Sequence, residues 1–380
     1  MSETGKGPAT GLVHGGRRKA WRGRIVNPPV ERASTVLFDS VAEMESSPGE
    51  LGSYRYGRLG TATHWALSEA LTELEPGAAG TALFPSGLAA ITSALLTVLS
   101  PGDELLAPDN VYGPTRKFCN TMLRRFGVAT RYYDPRTLPE PGPTTRAILL
   151  ESPGSLTMEV QDIPAITALA RKLGLVTLLD NTWATPLLFP AIAAGVDISI
   201  LAATKYVGGH ADLMLGTATA TPEHFEKLQA AAWELGHAVS PDDAWLASRG
   251  LRTMAIRLKQ HEENALKVAH WLREQPEVGL MLHPAFPDCP GHEFWKRDFK
   301  GSSGLFSFEL KQGDRTLLID SLKLFGIGYS WGGFESLATP ADGYCTVSAP
   351  PASNLIRLHV GLEDTDDLIA DLASALAIAR

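Results

Sequence analysis

Three short polar segments carry residue types that together suit one kind of chemistry. Ser86-Gly87-Leu88, Asp180-Asn181-Thr182 and Thr204-Lys205-Tyr206 each follow a short apolar run. A glycine turn into a helix offers N–H groups to a phosphate, because the first turn of a helix leaves those donors unpaired. A desolvated carboxylate needs a cationic partner. A buried lysine has a lowered pKa and can form a Schiff base with a carbonyl.

Pyridoxal phosphate requires all three of these groups: an amine for its aldehyde, an acid for its ring nitrogen and a helix start for its phosphate. The order of the segments along the chain therefore fits this cofactor. Each segment taken alone also fits an ordinary structural role. Gly87 can form a tight turn, Asp180 can cap a helix or pair with a base, and Lys205 can be a surface lysine, so spacing alone leaves these alternatives open.

The rest of the chain alternates short apolar runs with helical patterns, which indicates βαβ units and an α/β fold with a mainly parallel sheet. In such sheets ligands bind outside the carboxyl ends of the strands, where the three segments fall. A helix is also predicted near Pro222 with Thr221 as its N-cap, and residues 283–304, rich in Pro and Gly, are predicted to form a loop. Strands are predicted at residues 82–84, 147–150, 175–179 and 198–201, and helices at 163–173 and 253–274.

The chain has 380 residues, which is enough for two domains. Strand patterns at residues 305–310 and 355–360 indicate a smaller α+β domain that begins near residue 246. The predicted division is an N-terminal arm that contacts a neighbouring subunit, a large cofactor-binding domain and a small C-terminal domain, over residues 1–55, 56–245 and 246–380.

Composition excludes several other classes of protein. Lys and Arg number 34 against 42 Asp and Glu, and this net charge of −8 lacks the basic excess of nucleic-acid-binding proteins. The sequence has no apolar run of about 18 residues, so no membrane span is predicted. Three cysteines without a C-x-x-C pair predict a reducing, cytoplasmic setting. The 10 histidines form no H-E-x-x-H pattern, so no metal site is predicted.

From about Gly16 onward, the chain resembles the Cys/Met-metabolism family of pyridoxal-phosphate enzymes, and most of all its bacterial β-eliminating branch. The resemblance implies a fold-type I architecture, similar to that of aspartate aminotransferase. The motifs that carry it are Tyr56-Gly57-Arg58 with Gly60-Thr61, Asp180-Asn181-Thr182-Trp183-Ala184, Ala203-Thr204-Lys205-Tyr206, Gly291-His292-Glu293-Phe294-Trp295-Lys296-Arg297-Asp298-Phe299, Tyr329-Ser330-Trp331-Gly332-Gly333 and Ile356-Arg357-Leu358-His359.

The resemblance implies cofactor roles for the matching residues. Lys205 is implied to form the Schiff base and then to move protons, Asp180 to keep the pyridine nitrogen protonated, and Tyr112 to stack on the cofactor ring and aid proton transfer. The implied phosphate ligands are the Gly87 and Leu88 N–H groups, the Thr204 hydroxyl, and Tyr56 and Arg58 from a neighbouring subunit.

Substrate roles follow in the same way. Arg357 is implied to bind the substrate α-carboxylate, because a planar guanidinium suits a carboxylate in two-pronged geometry. Ser330 is implied to support that carboxylate and the lysine, and Tyr56 and Trp331 to line the substrate site. Trp331, with Tyr329 before it, favours β-elimination, because γ-acting relatives tend to carry Glu near Tyr329 and Leu in place of Trp331.

The activity that the resemblance implies is β-elimination of L-cystathionine to L-homocysteine, pyruvate and ammonia, a step of methionine biosynthesis. The implied assembly is a homotetramer built from dimers that share their active sites. Open alternatives are a broad cysteine-S-conjugate β-lyase or cysteine desulfhydrase, a γ-lyase or γ-synthase on the same scaffold, and a non-catalytic module.

Two positions depart from the family pattern. Gly154-Ser155 stands where many members carry an Asn beside the cofactor, and Ala202 stands where relatives often have Ser. The first departure leaves one cofactor contact unassigned, and the second removes a hydroxyl that a phosphate can use.

Overall fold

The computed structural model describes residues 7–46, 52–343 and 345–380. A 3-10 turn covers Gly57–Leu59, and a π-helical turn covers Cys119–Leu123. The α-helices of the described ranges are α1 (Pro8–His14), α2 (Lys19–Arg22), α3 (Val41–Ser46), α4 (Ala62–Thr72), α5 (Gly87–Val98), α6 (Gly113–Phe118), α7 (Ile163–Leu173), α8 (Thr185–Leu188), α9 (Phe225–Glu234), α10 (Pro241–Leu251), α11 (Met254–Arg273), α12 (His292–Asp298), α13 (Arg315–Ser321) and α14 (Thr365–Ala379).

The strands belong to two sheets. They are β1 (Gly80–Phe84), β2 (Glu104–Pro108), β3 (Ala129–Tyr133), β4 (Thr145–Glu151), β5 (Val176–Asp180), β6 (Ile198–Ala202) and β7 (Gly216–Ala220) in the larger sheet, and β8 (Val278–Leu282), β9 (Leu305–Leu310), β10 (Gly326–Ile327), β11 (Leu337–Pro340) and β12 (Leu355–His359) in the smaller.

The larger sheet has the strand order β1-β7-β6-β5-β4-β2-β3. Neighbouring strands are parallel except at β7, which runs antiparallel to both β1 and β6. Strand β1 therefore points the same way as β2 to β6, and its carboxyl end lies at the same edge of the sheet. The predicted α/β class with a mainly parallel sheet is confirmed.

Helices cover both faces of the larger sheet. Alternate residues of β4 enter opposite cores: Leu149 packs in the core that contains α5, and Ile148 and Leu150 pack in the core that contains α7. This double burial explains why the parallel strands have continuous apolar sequences. Strand β7 was not predicted, because its run of Gly, Thr and Ala has no bulky apolar residue, although all five positions are buried.

The smaller sheet has the order β10-β11-β12-β9-β8, and its strands pair antiparallel except β10 with β11. Its apolar face includes Phe306, Phe308 and Ile356, which pack against α11, α13 and α14. Helix α11 also joins the two sheets, because Leu258 near its start packs in the core with α4 and α10. The division at residue 246, which lies within α10, stays a prediction.

Part of the predicted N-terminal arm packs on its own chain. Leu12 of α1 is fully buried in a cluster with Leu67 and Leu71 of α4, and Arg252 donates to the Gly15 carbonyl over 2.9 Å. Residues 1–6 and 47–51 of the arm lie outside the described residues. The contact of the arm with a neighbouring subunit stays a prediction.

Two local predictions are wrong. Helix α9 begins at Phe225 with His224 at its N-cap, because the Thr221 carbonyl accepts the His224 and Phe225 N–H groups in a turn that precedes the helix. The predicted loop over residues 283–304 contains helix α12. The end of α12 is fixed by aromatic packing, since the Phe299 ring stacks on Phe189 with centroids 4.7 Å apart.

Within the described ranges, every helix is too short or too polar to cross a membrane. The same ranges hold no group of three or more His, Cys, Asp and Glu side chains arranged to hold a metal ion.

Candidate active site

The polar segments that follow the parallel strands meet at one edge of the larger sheet. Asp180 ends β5, Glu151 ends β4 directly beside it in register, and Lys205 lies three residues after the end of β6. Tyr112 follows β2, and Gly87 follows β1. The topology therefore gathers residues from five strand ends, as expected for a site outside the carboxyl edge of an α/β sheet.

The Lys205 amine contacts two residues of the segment between β10 and β11, Ser330 and Trp331. Its Nζ donates to Ser330 Oγ over 2.6 Å and lies 5.5 Å from the centre of the Trp331 ring. The pKa of Lys205 is lowered to about 8, first by burial and then by Arg357, against an opposing effect of Asp180. An amine with this pKa is a usable base and nucleophile near neutral pH.

The carboxylate of Asp180 is held by its own strand end. Asp180 Oδ1 accepts the Thr182 N–H over 3.1 Å and also the Thr182 hydroxyl. The same hydroxyl oxygen accepts the Ala202 N–H over 2.9 Å, which ties the end of β5 to the end of β6. Burial raises the pKa of Asp180, because the charged carboxylate is poorly solvated there. A cationic partner beside it would therefore stabilise the charged form.

Glu151 organises the other wall of the site. Its Oε2 accepts the backbone N–H of Tyr112 over 2.8 Å, and the Ser155 side chain hydrogen-bonds to it. Burial raises the pKa of Glu151 well above its usual range, and Asp180 adds to this. The Tyr112 phenol also has a raised pKa, first through burial and then through the nearby carboxylates of Asp180 and Glu151.

Arg357 enters the site from β12 of the smaller sheet. The residue is 9% exposed, and its Nη1 donates to the Ser155 carbonyl over 3.3 Å. The backbone of Ser155 therefore positions the guanidinium beside Lys205 and Tyr112, whose pKa values it lowers. The neighbouring Gly154 is required by packing, since a Cβ there would lie 2.0 Å from Asn110 Nδ2.

The start of α5 faces the segment that carries the lysine. The capping bonds from Ala89 and Ala90 to Ser86 leave the N–H groups of Gly87 and Leu88 outside them. A Cβ on Gly87 would lie 2.6 Å from the Cβ of Ala202, so only glycine allows the helix start to approach β6 this closely. A larger residue in place of Ala202 would crowd the same contact.

Thr204 ties the lysine segment to the residues before β7. Its hydroxyl accepts the Leu215 N–H over 3.0 Å and donates to the Leu215 carbonyl over 3.2 Å. The residue is only partly buried.

Tyr56 and Arg58 lie elsewhere on the chain. Tyr56 is 46% exposed, and Arg58 Nη1 donates to the Trp233 carbonyl at the end of α9 over 2.7 Å. Both residues line a cavity with Glu31, His64 and Val239, and Lys205 is not part of its lining. These contacts place Tyr56 and Arg58 apart from Lys205 of the same chain.

Trp331 and Tyr329 occupy different environments. The Trp331 ring is half-buried and tilts against Tyr206 with centroids 5.4 Å apart, so it forms a wall behind the Lys205 amine. Tyr329 is 94% exposed. Trp331 therefore belongs to the same site as Lys205, and Tyr329 lies on the surface outside it. The other residues around the site are Ser330, Asp180, Tyr112 and Arg357.

Sequence reasoning assigned no role to three residues that hold this site. Thr182 fixes Asp180, Glu151 fixes the Tyr112 backbone, and His359 accepts the Gly332 N–H over 3.0 Å next to Ser330 and Trp331. Glu151 ends an apolar strand as Asp180 does, and this signal alone was sufficient to find it.

Comparisons with known proteins agree with this geometry. Cystathionine β-lyase MetC of Escherichia coli K12 is 45% identical over 97% of this chain and 98% of its own length. Cystathionine β-lyase of Salmonella typhimurium is 44% identical over 97% of this chain and 98% of its own. The crystal structure of cystathionine γ-lyase from Lactobacillus plantarum complexed with L-serine superposes with a TM-score of 0.90 at 30% identity, and covers 98% of this chain and 99% of that one.

The profile of the Cys/Met metabolism PLP-dependent enzymes matches residues 9–377. This match spans the larger sheet with Asp180 and Lys205, and also the smaller sheet with Arg357. The chain belongs to the Cys/Met metabolism family of PLP-dependent enzymes.

Proposed function

We propose that this enzyme cleaves L-cystathionine by β-elimination to L-homocysteine, pyruvate and ammonia. The observation that carries the proposal is the Lys205 amine, whose burial between Ser330 and Trp331 lowers its pKa to about 8 beside a buried Arg357. Similarity supports the choice of substrate and bond. The cystathionine β-lyases of two enteric bacteria are 44–45% identical to the chain, whereas cystathionine γ-lyase of Bacillus subtilis is 33% identical.

The residues of the site fit pyridoxal phosphate. Lys205 provides the amine, and the Asp180 carboxylate suits a protonated ring nitrogen because burial makes an ionic partner favourable. The N–H groups of Gly87 and Leu88 at the start of α5, and the Thr204 hydroxyl, would hold the phosphate. Tyr112 would stack on the ring. When bound, the cofactor supplies an electron sink for the carbanion at the substrate α-carbon.

The remaining chemistry belongs to residues of the chain. Arg357 binds the α-carboxylate of the amino acid, because a planar guanidinium suits a carboxylate in two-pronged geometry and a buried site of low dielectric strengthens the ion pair. Lys205 Nζ removes the α-proton, and Ser330 Oγ holds that amine in place over 2.6 Å. Lys205 Nζ or the Tyr112 hydroxyl then gives a proton to the departing homocysteine sulfur.

Trp331 favours β-elimination over γ-elimination. Its ring lies behind Lys205 and leans on the fully buried Tyr206. A fixed aromatic wall limits where the distal half of a thioether substrate extends. A second proton removal, from the β-carbon, is needed only for γ-elimination, and a rigid wall beside the single amine disfavours it.

We place the enzyme in a homotetramer of dimers with shared active sites, in the cytoplasm. Tyr56 and Arg58 contact α9 and the N-terminal segment of their own chain, and exposed apolar side chains such as Leu37 and Val41 lie in the same part of the sequence. These features support a surface that a second copy covers. The described cysteines are all unpaired, which supports a reducing compartment.

Product analysis tests the proposed reaction. Cofactor-loaded enzyme is incubated with L,L-cystathionine and the mixture is analysed by mass spectrometry, with Lys205→Ala as the control. Homocysteine and pyruvate are the expected products. Cysteine with 2-oxobutyrate would overturn the proposal in favour of γ-elimination, and faster turnover of cysteine than of cystathionine would favour a broad cysteine-S-conjugate β-lyase.

A further inference from the structure

A buried histidine lies directly behind the residues that hold the lysine. His359 ends β12, two residues after Arg357, so both side chains leave the same face of the strand. Ile356 and Leu358 leave the opposite face and pack in the core of the smaller sheet. His359 is 1% exposed.

The ring of His359 contacts the serine loop, defined as residues 329–333. Gly332 N donates to His359 Nε2 over 3.0 Å. Gly332 in turn lies against the lysine backbone, because a Cβ there would sit 3.0 Å from both Lys205 C and Tyr206 N. The imidazole therefore bonds to the residue of the serine loop that packs against the backbone of Lys205 and Tyr206.

The serine loop needs an external anchor. Ser330, which accepts the hydrogen bond of Lys205, holds a left-handed backbone with φ of +97°, a conformation that costs a non-glycine residue about 1 kcal/mol. Gly332 also has a positive φ of +84°. The strained backbone at Ser330 therefore depends on contacts with neighbouring groups.

We propose that His359 is a positioning residue of the reaction: by accepting the Gly332 N–H, it fixes the serine loop and so sets Ser330 against the Lys205 amine. Strand β12 then carries both the clamp for the substrate carboxylate and the anchor for the lysine's partner, two residues apart. The inference rests on the proposed role of Lys205. It assigns a part in the reaction to His359, a residue that does not contact the substrate.

The charged and titratable surroundings of His359 support this role. His261 of α11 faces it with ring centroids 5.1 Å apart, Tyr206 lies 6.2 Å away, and Arg357 and Lys205 approach from the site. The pKa of His359 is lowered to about 3, first by burial and then by His261, Arg357 and Lys205, against an opposing effect of the hydrogen bond to Gly333. The ring therefore stays neutral at working pH. In the tautomer with its proton on Nδ1, it accepts the Gly332 N–H at Nε2, which also lies 3.2 Å from the Gly333 carbonyl oxygen.

His261 provides a matched control. It is fully buried in the same cluster, its ring lies 5.4 Å from Tyr206, and burial lowers its pKa to about 4. Its Nδ1 bonds to the Val360 carbonyl over 2.9 Å, and its recorded bonds do not reach the serine loop. A purely structural histidine should behave as His261 does.

The test compares His359→Leu, His359→Gln and His261→Leu in the cofactor-loaded enzyme. The readouts are kcat, KM, and the pH midpoint of the visible absorbance of the lysine-bound cofactor. In His359→Leu we expect kcat to fall about tenfold with KM within about twofold, because Arg357 still binds the carboxylate while a buried N–H loses its acceptor. The absorbance midpoint should rise by about half a unit, because a looser loop admits water and favours the protonated nitrogen.

The conservative variant decides between positioning and packing. The amide oxygen of His359→Gln reaches as far as Nε2 and should restore most of kcat and the midpoint. His261→Leu should lower the melting temperature with neither change. An unmoved midpoint in His359→Leu, an equal shift in His261→Leu, or failure of the glutamine to restore it would overturn the proposal. If His359→Leu does not fold, His359→Asn replaces it, because its amide is too short to reach Gly332.

A failure of the proposed cystathionine activity can be told apart from a failure of the proposed role of His359. The absorbance midpoint is measured without substrate, so it reports on the lysine environment whichever thioether the enzyme cleaves.

Discussion

Lys205 and Ser330 form the contact on which the site depends: the amine donates to the hydroxyl over 2.6 Å, across the boundary between the segment after β6 and the serine loop. The two residues are 125 positions apart in the sequence. Ser330 pays for this contact with a φ of +97°, which is strained for any residue except glycine. The hydroxyl, rather than backbone preference, therefore explains a serine at this position.

Two substitutions of Ser330 separate the hydroxyl from the backbone strain. Ser330→Ala and Ser330→Gly both remove the acceptor, and we expect both to lower kcat by about 10- to 100-fold, the range for a hydrogen bond to a charged group. The free energy of unfolding of Ser330→Gly should exceed that of Ser330→Ala by about 1 kcal/mol, because glycine adopts a positive φ without strain. Activity assays and urea unfolding measure the two effects. Different activities for the two variants would show that strain, and not the hydroxyl, matters for catalysis.

Asp180→Asn tests the carboxylate without disturbing its strand end. The asparagine oxygen still accepts the Thr182 N–H and hydroxyl, so the tie between β5 and β6 remains. Only the negative charge is lost. We expect the affinity for pyridoxal phosphate to fall about 100-fold, the effect of removing one partner of a buried ion pair, with unchanged far-UV circular dichroism. Equilibrium dialysis measures the affinity, and an unaffected affinity would contradict the pairing of Asp180 with the ring nitrogen.

The sequence predicted the parts of the site that follow from local pattern. Asp180 and Lys205 stand out because each is a polar residue at the end of an apolar strand. The contacts between residues of the site are not recorded in any local pattern. Glu151 stands out at the end of its strand as Asp180 does, but its bond to the Tyr112 N–H, like the bond of His359 to the Gly332 N–H, depends on the tertiary fold.

Errors in the fold have similar causes. Strand β7 consists of Gly, Thr and Ala, so it lacks the bulky apolar signal of a strand although all five of its positions are buried. Helix α12 lies in a segment whose Pro and Gly content predicted a loop. The Phe299 ring, directly after this helix, stacks on Phe189 with centroids 4.7 Å apart, a tertiary contact that local composition does not record.

Mixing two inactive variants tests whether the active site is shared between subunits. Arg58→Ala and Lys205→Ala are each expressed alone and then together. If Arg58 acts on the cofactor of a neighbouring subunit, a mixed dimer has one site with both defects and one intact site. Random mixing should then restore about a quarter of wild-type activity.

The controls for this experiment use the same two substitutions. The double variant Arg58→Ala/Lys205→Ala, mixed with Lys205→Ala, has no intact combination and should stay inactive. A mixture of the single variants that is no more active than its parts would place Arg58 in the site of its own chain, or outside any site.

Glu75 makes the stability of the protein depend on pH. This residue is 2% exposed, its Oε1 accepts the Ser199 hydroxyl over 2.6 Å, and its Oε2 accepts the Ile192 N–H over 3.2 Å. Burial raises its pKa from 4.5 to about 7, against the smaller opposing effect of these bonds. Between these two pH values the folded state holds a proton that the unfolded state has released, so stability falls as pH rises from 4.5 to about 7 and is constant above.

Glu75→Gln removes this dependence while it keeps the hydrogen bonds. The amide oxygen accepts the Ile192 N–H and the amide nitrogen donates to Ser199, so the variant resembles the protonated acid. Relative to wild type, it should gain about 2–3 kcal/mol of unfolding free energy between pH 5 and pH 8. Urea unfolding at both pH values measures this difference, in which the buried histidines cancel because both proteins carry them. An equal difference at the two pH values would mean that Glu75 is ionised in the folded protein throughout, and that its hydrogen-bond donors outweigh its burial.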